Sequence, residues 1–212
     1  MKKSVLSLAV LMTLATANAM AATTDLTVTG TITPAACTPT LGNGGLVEYG
    51  SLALTELEET STGYRLPVKS LSFSIECSAP AAFALIANDN RRDSSPANAW
   101  LFGLGTHQDQ AIGHFMMRWN YETLVIDGTQ GYTIESIDNG NSWNAVFDGV
   151  LYDAGQAPSN LVGFSITSSE LGPAPATSVN LTMDVDGGIN KGLTLNGAME
   201  LDGSATIEIV YL

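Results

Sequence analysis

Two histidines and a nearby carboxylate are the side chains with the most obvious capacity to bind a metal ion. His107, Asp109 and His114 lie close together in the sequence, and imidazole and carboxylate groups are common ligands of transition metals. However, His114 belongs to a strand-like run, whereas His107 falls in a predicted turn, so their side chains are not expected to converge. We interpret both histidines as surface or partly buried groups and predict no metal site.

The segment from Asp184 to Asn190, with the sequence DVDGGIN, has spaced oxygen ligands like those of a calcium loop. A calcium loop of the EF-hand type needs a glycine at its sixth position and a glutamate at its twelfth. Ile189 and Leu195 occupy those positions here. The segment is therefore predicted to be a hairpin turn around Asp186, Gly187 and Gly188.

Catalytic motifs are missing from the sequence. It contains no nucleophile elbow, no zinc-protease helix motif and no glycine-rich phosphate loop. The acidic run Glu56, Glu58 and Glu59 is interpreted as a solvated face. We predict that the protein is not an enzyme and has neither a catalytic site nor a cofactor, with a secreted enzyme kept as an alternative class.

Cys37 and Cys77 are the only cysteines. Two thiols in an exported chain usually form one disulfide. The alternative is a metal-binding pair, but the CxxC spacing typical of such pairs is missing. We predict a Cys37–Cys77 disulfide that supplements a hydrophobic core.

Export is predicted from residues 1–21, which we interpret as a signal peptide. Lys2 and Lys3 precede an apolar run over residues 5–14, and small residues allow cleavage after Ala19 or, preferably, Ala21. The run is shorter than the roughly 20 apolar residues of a membrane span. A retained N-terminal anchor is the alternative. No integral membrane segment is expected after cleavage, so the chain is predicted to reach the periplasm.

The charge balance argues against nucleic acid as a partner. Only 14% of the 212 residues are charged, and the net charge of −13 becomes −15 when the two N-terminal lysines are removed. A protein that binds the phosphate backbone needs a basic patch. Anionic membrane surfaces should repel the chain for the same reason.

Alternation of apolar and polar residues along the chain predicts β-strands with one buried face. Regular alternation occurs at residues 26–32, 71–77, 179–185, 193–201 and 207–211, and weaker strand signals at residues 81–87, 112–120, 123–127, 132–137, 145–152 and 161–167. Turn signals such as Asp127-Gly128 and Asn139-Gly140 separate them. Residues 52–60 are expected to form at most one helical turn. We predict an all-β fold, a single β-sandwich domain.

Both ends of the mature chain resemble subunits of the chaperone–usher pilin family. Near the N-terminus, Leu26, Val28, Gly30 and Ile32 alternate before Cys37, and the spacing from Cys37 to Cys77 is also similar to that of pilins. At the C-terminus, Ile207, Ile209 and the penultimate Tyr211 alternate before Leu212, and Gly197 lies where such pilins tend to carry a glycine. The end segments are similar to those of the type 1 fimbrial major subunit. The middle, at residues 66–71, 88–91 and 102–106, looks more like the fimbria-associated domain of unknown function 1120.

This resemblance implies an incomplete immunoglobulin-like sandwich that lacks one strand. It implies a donor-strand extension at residues 22–33, with Leu26, Val28, Gly30 and Ile32 entering a neighbour's groove, followed by a pilin-like domain at residues 34–212. The implied partners are a periplasmic chaperone, an outer-membrane usher and other pilus subunits, in a homo- or heteropolymer at the cell surface. The strand with Ile207, Ile209 and Tyr211, anchored by the Leu212 carboxylate, is the implied chaperone contact.

One alternative to the pilin interpretation, besides the secreted enzyme named above, remains open from the sequence. The segment at residues 22–33 can instead fold back as an ordinary first strand, which would make the protein a monomeric secreted or periplasmic binding module. Within the pilin interpretation, the sequence is compatible with a major, a minor or a terminating subunit. A two-domain tip adhesin is disfavoured, because the mature chain leaves little room for a lectin domain beside a pilin domain.

Overall fold

The computed structural model describes residues 24–30, 35–168, 172–194 and 197–212. The predicted signal peptide and Ile32 lie outside these ranges. The chain divides into two units, residues 1–33 and 34–212. Within the first unit, the described residues 24–30 have no regular secondary structure.

The second unit is built almost entirely from strands. In chain order they are β1 (Cys37–Leu41), β2 (Glu58–Glu59), β3 (Gly63–Arg65), β4 (Lys69–Ala81), β5 (Phe83–Asp89), β6 (Phe102–Gly103), β7 (Thr106–His107), β8 (Gln110–Ala111), β9 (Gly113–Trp119), β10 (Val125–Ile126), β11 (Thr129–Gln130), β12 (Tyr132–Ser136), β13 (Asn144–Val146), β14 (Gly149–Val150), β15 (Leu161–Ser165), β16 (Ala176–Asn190) and β17 (Ala205–Tyr211). Single 3-10 turns occur at Gly42–Gly45, Leu54–Glu56, Arg92–Ser94 and Tyr121–Thr123. Among the described residues, no helix is long and apolar enough to cross a bilayer. The all-β prediction is confirmed.

Two antiparallel sheets form the sandwich. The larger sheet has the order β1-β4-β16-β10-β11, with β3 and β9 also paired to β16. The smaller sheet has the order β13-β12-β15-β5-β17. The short β7–β8 hairpin is separate.

The main core is formed by the alternating apolar residues that the sequence pattern identified. In β4, Phe73 and Ile75 are buried, and in β16 the same holds for Val179, Leu181 and Met183. Trp119 of β9 is also fully buried, and its indole N–H donates to the hydroxyl of Thr133. Successive strand residues point to opposite faces, so each of these strands contributes one row of side chains to the core.

Three predictions about local structure are wrong. The strand predicted at residues 26–32 is not formed in the described residues 26–30. Asp186, Gly187 and Gly188 do not form a turn; they continue β16, which extends to Asn190 because β3 and β9 both pair with this stretch. Glycine fits here because a Cβ on Gly187 would lie 2.5 Å from the carbonyl oxygen of His114. The strand predicted at residues 193–201 is also not formed in the described residues 193–194 and 197–201. Leu193, Met199 and Leu201 pack onto the main core without strand pairing.

A second, smaller apolar cluster lies on the opposite face of β5 and β12 from the main core. It contains Ala84, Ile134, Trp143 and Leu161. The loop that delivers Trp143 is organised by Asp138, whose carboxylate accepts hydrogen bonds from the backbone N–H and the hydroxyl of Ser142 at 2.9 and 2.6 Å. These bonds explain how an exposed loop holds a large aromatic side chain in place.

The Asp138 loop gives the first testable prediction. Hydrogen bonds from Ser142, and then from Ser136, lower the pKa of Asp138 to about 2. Because this folded-state pKa lies below the unfolded value of about 3.9, the contribution of Asp138 to stability is complete above that value and is lost as the pH falls toward 2. We expect Ser142→Ala to raise the pKa measured by NMR titration. The control variant Ser178→Ala removes a hydroxyl that is bonded to Asp127 and should leave the pKa of Asp138 unchanged. Equal pKa values of Asp138 in the two variants would contradict the assignment.

Candidate functional site

Strands β1 and β17 each have one edge without a partner among the described residues. In the larger sheet, β1 pairs with β4 on one side only, and in the smaller sheet β17 pairs with β5 on one side only. Each free edge presents backbone N–H and C=O groups that another strand can bind. The two edges border the same opening of the sandwich, as the groove between them shows.

An apolar groove with a volume of about 320 Å³ lies between the two free edges. We call it the edge groove. One wall is formed by β1 and the loop after it, the other by β17 and the segment before it, and the floor by residues of β4, β9 and β16. The side chains of these three parts include Leu41, Leu46, Val47 and Tyr49 in the first wall, Leu201, Ala205 and Ile207 in the second, and Leu71, Phe115, Met117, Met183 and Val185 in the floor.

The two walls are joined by a hydrogen bond at one end. The phenolic oxygen of Tyr211 in β17 accepts a hydrogen bond of 2.7 Å from the backbone N–H of Cys37 in β1. Cys37 is in turn disulfide-bonded to Cys77, its register partner on β4. The predicted disulfide is therefore confirmed, and it fixes β1 at the point where the walls meet.

Tyr49 carries a polar group that this groove does not satisfy. Its hydroxyl is buried and has no hydrogen-bond partner among the described residues. Burial, followed by the charge of Asp186, raises the pKa of Tyr49. Buried polar atoms in native proteins are rarely left unpaired, so the first wall is incompletely satisfied in this state of the protein.

The predicted C-terminal residues occupy different positions relative to the groove. Ile207 and Ile209 are half-buried and pack on the main core, whereas Tyr211 and Leu212 are about half exposed. The backbone N–H of Leu212 donates to the carbonyl of Ala82, which continues the pairing to the end of the chain. Gly197 lies outside β17 in an exposed bend, and a side chain there would meet open space.

The N-terminal segment has its apolar residues uncovered. In the first unit, Leu26 is 90% exposed and Val28 is 87% exposed. Gly30 has no atom close to the position of a Cβ. Apolar side chains with this exposure gain free energy when they are buried.

The residues singled out as metal ligands do not form a site. Among the described residues, no group of three or more histidine, cysteine, aspartate or glutamate side chains is arranged to hold a metal ion. The Nε2 atom of His107 is buried and has no hydrogen-bond partner among the described residues, while His114 is half-buried on β9. Burial, partly opposed by the charge of Asp186, lowers the pKa of His114.

Sequence reasoning did not identify most of the groove wall. Leu46, Val47 and Tyr49 lie in a connection without regular structure, where no periodic pattern predicts which side chains face the core. The floor residues Met117 and Met183 were part of predicted strands, but their position beside an opening depends on which strands end each sheet. Only the pairing of the strands shows this.

Tyr211 gives a second testable prediction. Replacing it with serine removes the aromatic ring and places the hydroxyl too far from Cys37 for the hydrogen bond. We expect a lower yield of soluble periplasmic protein, because a poorly closed edge aggregates or is proteolysed. Tyr211→Phe removes only the hydroxyl and should cost about 1 kcal/mol of unfolding free energy. The yield of soluble protein and the unfolding free energy measure the effect. Wild-type values for the serine variant would show that the bridge does not stabilise this end of the groove.

Comparisons with known proteins find one family model and two relatives that are similar to this chain. A family model described as a protein of unknown function, DUF1120, matches residues 26–101, which include the exposed N-terminal segment and strands β1 to β5. Protein GltF of Escherichia coli (strain K12) is 27% identical over 226 residues, covering 89% of this chain and 88% of GltF. Uncharacterized protein YhcF of the same organism is 26% identical over 220 residues, covering 86% of this chain and 87% of YhcF. The resemblance to the 1120 family is thus supported, and the resemblance to the type 1 major subunit stays a prediction.

Proposed function

We propose that this protein is a structural subunit of a bacterial surface fimbria, assembled by donor-strand exchange, and that it supports cell adhesion. The observation that carries the proposal is the edge groove, an apolar opening between two free strand edges. In this proposal the N-terminal segment of one subunit fills the edge groove of the next. The protein is exported to the periplasm and then reaches the cell surface.

The length of the donor segment suits the groove. Residues 26–32 span seven positions, and β17, the strand they would lie beside, also has seven residues. An extended segment of this length covers roughly 20 Å at about 3.3 Å per residue. Its backbone can therefore pair with β17 over the whole strand.

The chemistry of the two partners is also complementary. Leu26, Val28 and Ile32 project from one face of an extended strand, and each contributes roughly 1.5–3 kcal/mol when it is fully buried. The floor that would receive them is lined by Phe115, Met117 and Met183 among others. Gly30 lies on the same face, where the absence of a side chain allows the backbones to approach closely.

The same geometry supports the need for accessory partners. A free edge beside an apolar groove is prone to wrong pairing, so a newly exported subunit requires a temporary strand. A periplasmic chaperone supplies this strand by β-strand addition. An outer-membrane usher then brings the next subunit, whose N-terminal segment replaces the chaperone.

Peptide capture tests the proposal in purified material. The chain without residues 22–33 is co-expressed with its chaperone and mixed with a synthetic peptide of residues 22–33. We expect the peptide to displace the chaperone and to raise the thermal unfolding midpoint. A peptide with Val28→Asp should not bind, whereas one with Thr29→Asp, where the change points away from the groove, should.

The outcome also distinguishes the alternative. If the truncated chain is insoluble, while the full-length protein is a stable monomer without any chaperone, residues 22–33 belong to the protein's own sandwich. The monomeric secreted or periplasmic binding module would then be the better description.

A further inference from the structure

A second cavity, distinct from the edge groove, lies on the outer face of the larger sheet. We call it the Gly188 cleft; its volume is about 510 Å³. The two sites lie on opposite faces of β9. Phe115 and Met117 line the edge groove, whereas His114 and Met116 line the Gly188 cleft. Because successive strand residues face opposite sides of a sheet, a substitution in one site need not disturb the other.

Gly188, two residues before the end of β16, forms the floor of this cleft. Gly188 pairs with His114 on one side and with Arg65 on the other. The three positions therefore form a row across three strands, and the central position is empty. A Cβ on Gly188 would lie 3.1 Å from the carbonyl oxygen of Tyr64 and 3.8 Å from the imidazole of His114. Glycine weakens a strand interior and often marks a place where a ligand or another backbone approaches closely.

Hydrogen-bond donors and hydrogen-bond acceptors both surround the floor of the cleft. Asp186 and Asn190 lie two residues before and after Gly188, on the same face of β16, and both line the cleft. Asp186 has carboxylate oxygens that accept hydrogen bonds, while the guanidinium of Arg65 donates them. His114 forms no side-chain hydrogen bond within the described part of the chain. Since burial lowers its pKa, its imidazole is neutral at neutral pH and offers one donor and one acceptor.

The charges in the cleft already have partners. Arg118 contacts Asp186 at 3.3 Å, and Arg65 contacts Glu58 at 3.6 Å. Neither the carboxylate nor the guanidinium is therefore left as an unbalanced charge. Together with the strong negative charge of the chain, −13 before any processing, this favours a neutral ligand over an anionic one.

Apolar surface completes the lining. Leu101 and Pro96 contribute from the loop before β6 and Met116 from β9, whereas Tyr64 reaches the cleft with its backbone carbonyl, because its side chain packs against the main core on the other face of β3. Ligand sites commonly combine such apolar surface with a few polar groups that fix orientation, in volumes of about 300–1,000 Å³. A ligand that suits this cleft has several hydroxyl groups and an apolar face, without net charge.

We propose that the Gly188 cleft binds a neutral saccharide. Sugar hydroxyls pair with Asp186, Asn190 and His114, and the carbon face of the ring packs on the apolar side chains. Gly188 provides the space that the sugar ring occupies. This binding site is independent of strand exchange at the edge groove.

An array of immobilised oligosaccharides, both neutral and sialylated, tests the proposal with the full mature protein. Two variants report on the cleft: Gly188→Val fills the floor and His114→Ala removes the imidazole. Thr182→Val is the control, because Thr182 is exposed on the same strand but does not line the cleft. Thermal unfolding of each variant shows whether it is folded, and His114→Ala decides the result if Gly188→Val does not fold.

We expect the wild type and Thr182→Val to capture neutral glycans. The folded cleft variants should bind the strongest neutral glycan at least about tenfold more weakly, a loss equivalent to about 1.4 kcal/mol. Capture of no neutral glycan, or of sialylated glycans only, would overturn the proposal. So would neutral binding that is unchanged in His114→Ala.

Discussion

Deletion of residues 22–33 is expected to abolish surface fimbriae while the remaining chain still folds with its chaperone. The described residues 24–30 contribute no strand, and Leu26 and Val28 are almost fully exposed. The segment also precedes Cys37, so the disulfide does not hold it. Its removal therefore leaves the groove intact but takes away the strand that would fill the groove of a neighbour.

Point variants separate this effect from a general loss of the segment. Val28→Asp places a charge on the face that enters the groove and should reduce assembly as strongly as the deletion does. Thr29→Asp introduces the same charge on the opposite face of an extended strand and should leave assembly intact. Electron microscopy of cells and immunoblotting of the periplasm measure the polymer and the free subunit. Normal fimbriae on cells that produce Val28→Asp would refute donation by this segment.

Loss of the disulfide should cause the largest decrease in stability among single structural features. Cys37 and Cys77 are 40 residues apart, and closing a loop of this size stabilises a protein by roughly 4 kcal/mol when the native geometry is unstrained. Total unfolding free energies are only about 5–15 kcal/mol. The double variant Cys37→Ser, Cys77→Ser should therefore unfold at a much lower urea concentration than the wild type.

The effect is expected to extend to the edge groove. Cys37 donates its backbone N–H to Tyr211, so release of β1 from β4 also loosens the end at which the two walls meet. Urea unfolding of the wild type and of the double variant, both with the peptide of residues 22–33 bound, gives the difference in unfolding free energy. Thiol labelling of the wild type under denaturing conditions should find no free cysteine. A difference in stability below about 1 kcal/mol would contradict the loop-closure argument.

The sequence predicted the strands that pair along their full length. In β4 and β16 the apolar residues alternate, and the structure buries them as two neighbouring rows on the core face of the larger sheet. This works because a period of two is a local property of the chain, and burial of one face is the dominant contribution to folding. The 3-10 turn at Leu54–Glu56 also falls within residues 52–60, where at most one helical turn was predicted.

The errors have physical causes that local patterns do not contain. Asp186-Gly187-Gly188 has the composition of a turn, yet it is extended because β3 and β9 flank it and require close backbone approach. Residues 193–201 alternate, but no neighbouring edge pairs with the part that is described. Tyr49 of the edge groove was missed because its position depends on the path of a connection. Tertiary contacts decided each case.

Site-directed photo-crosslinking tests the central claim most directly. A photoreactive amino acid replaces Val28 in the full-length protein, and isotopically light and heavy chains are mixed during assembly so that mass spectrometry separates crosslinks between copies from those within one copy. The account predicts crosslinks between copies, from position 28 to groove residues such as Met183 and Ile207. Crosslinks confined to a single chain, or none to the groove, would contradict donor-strand exchange by this protein.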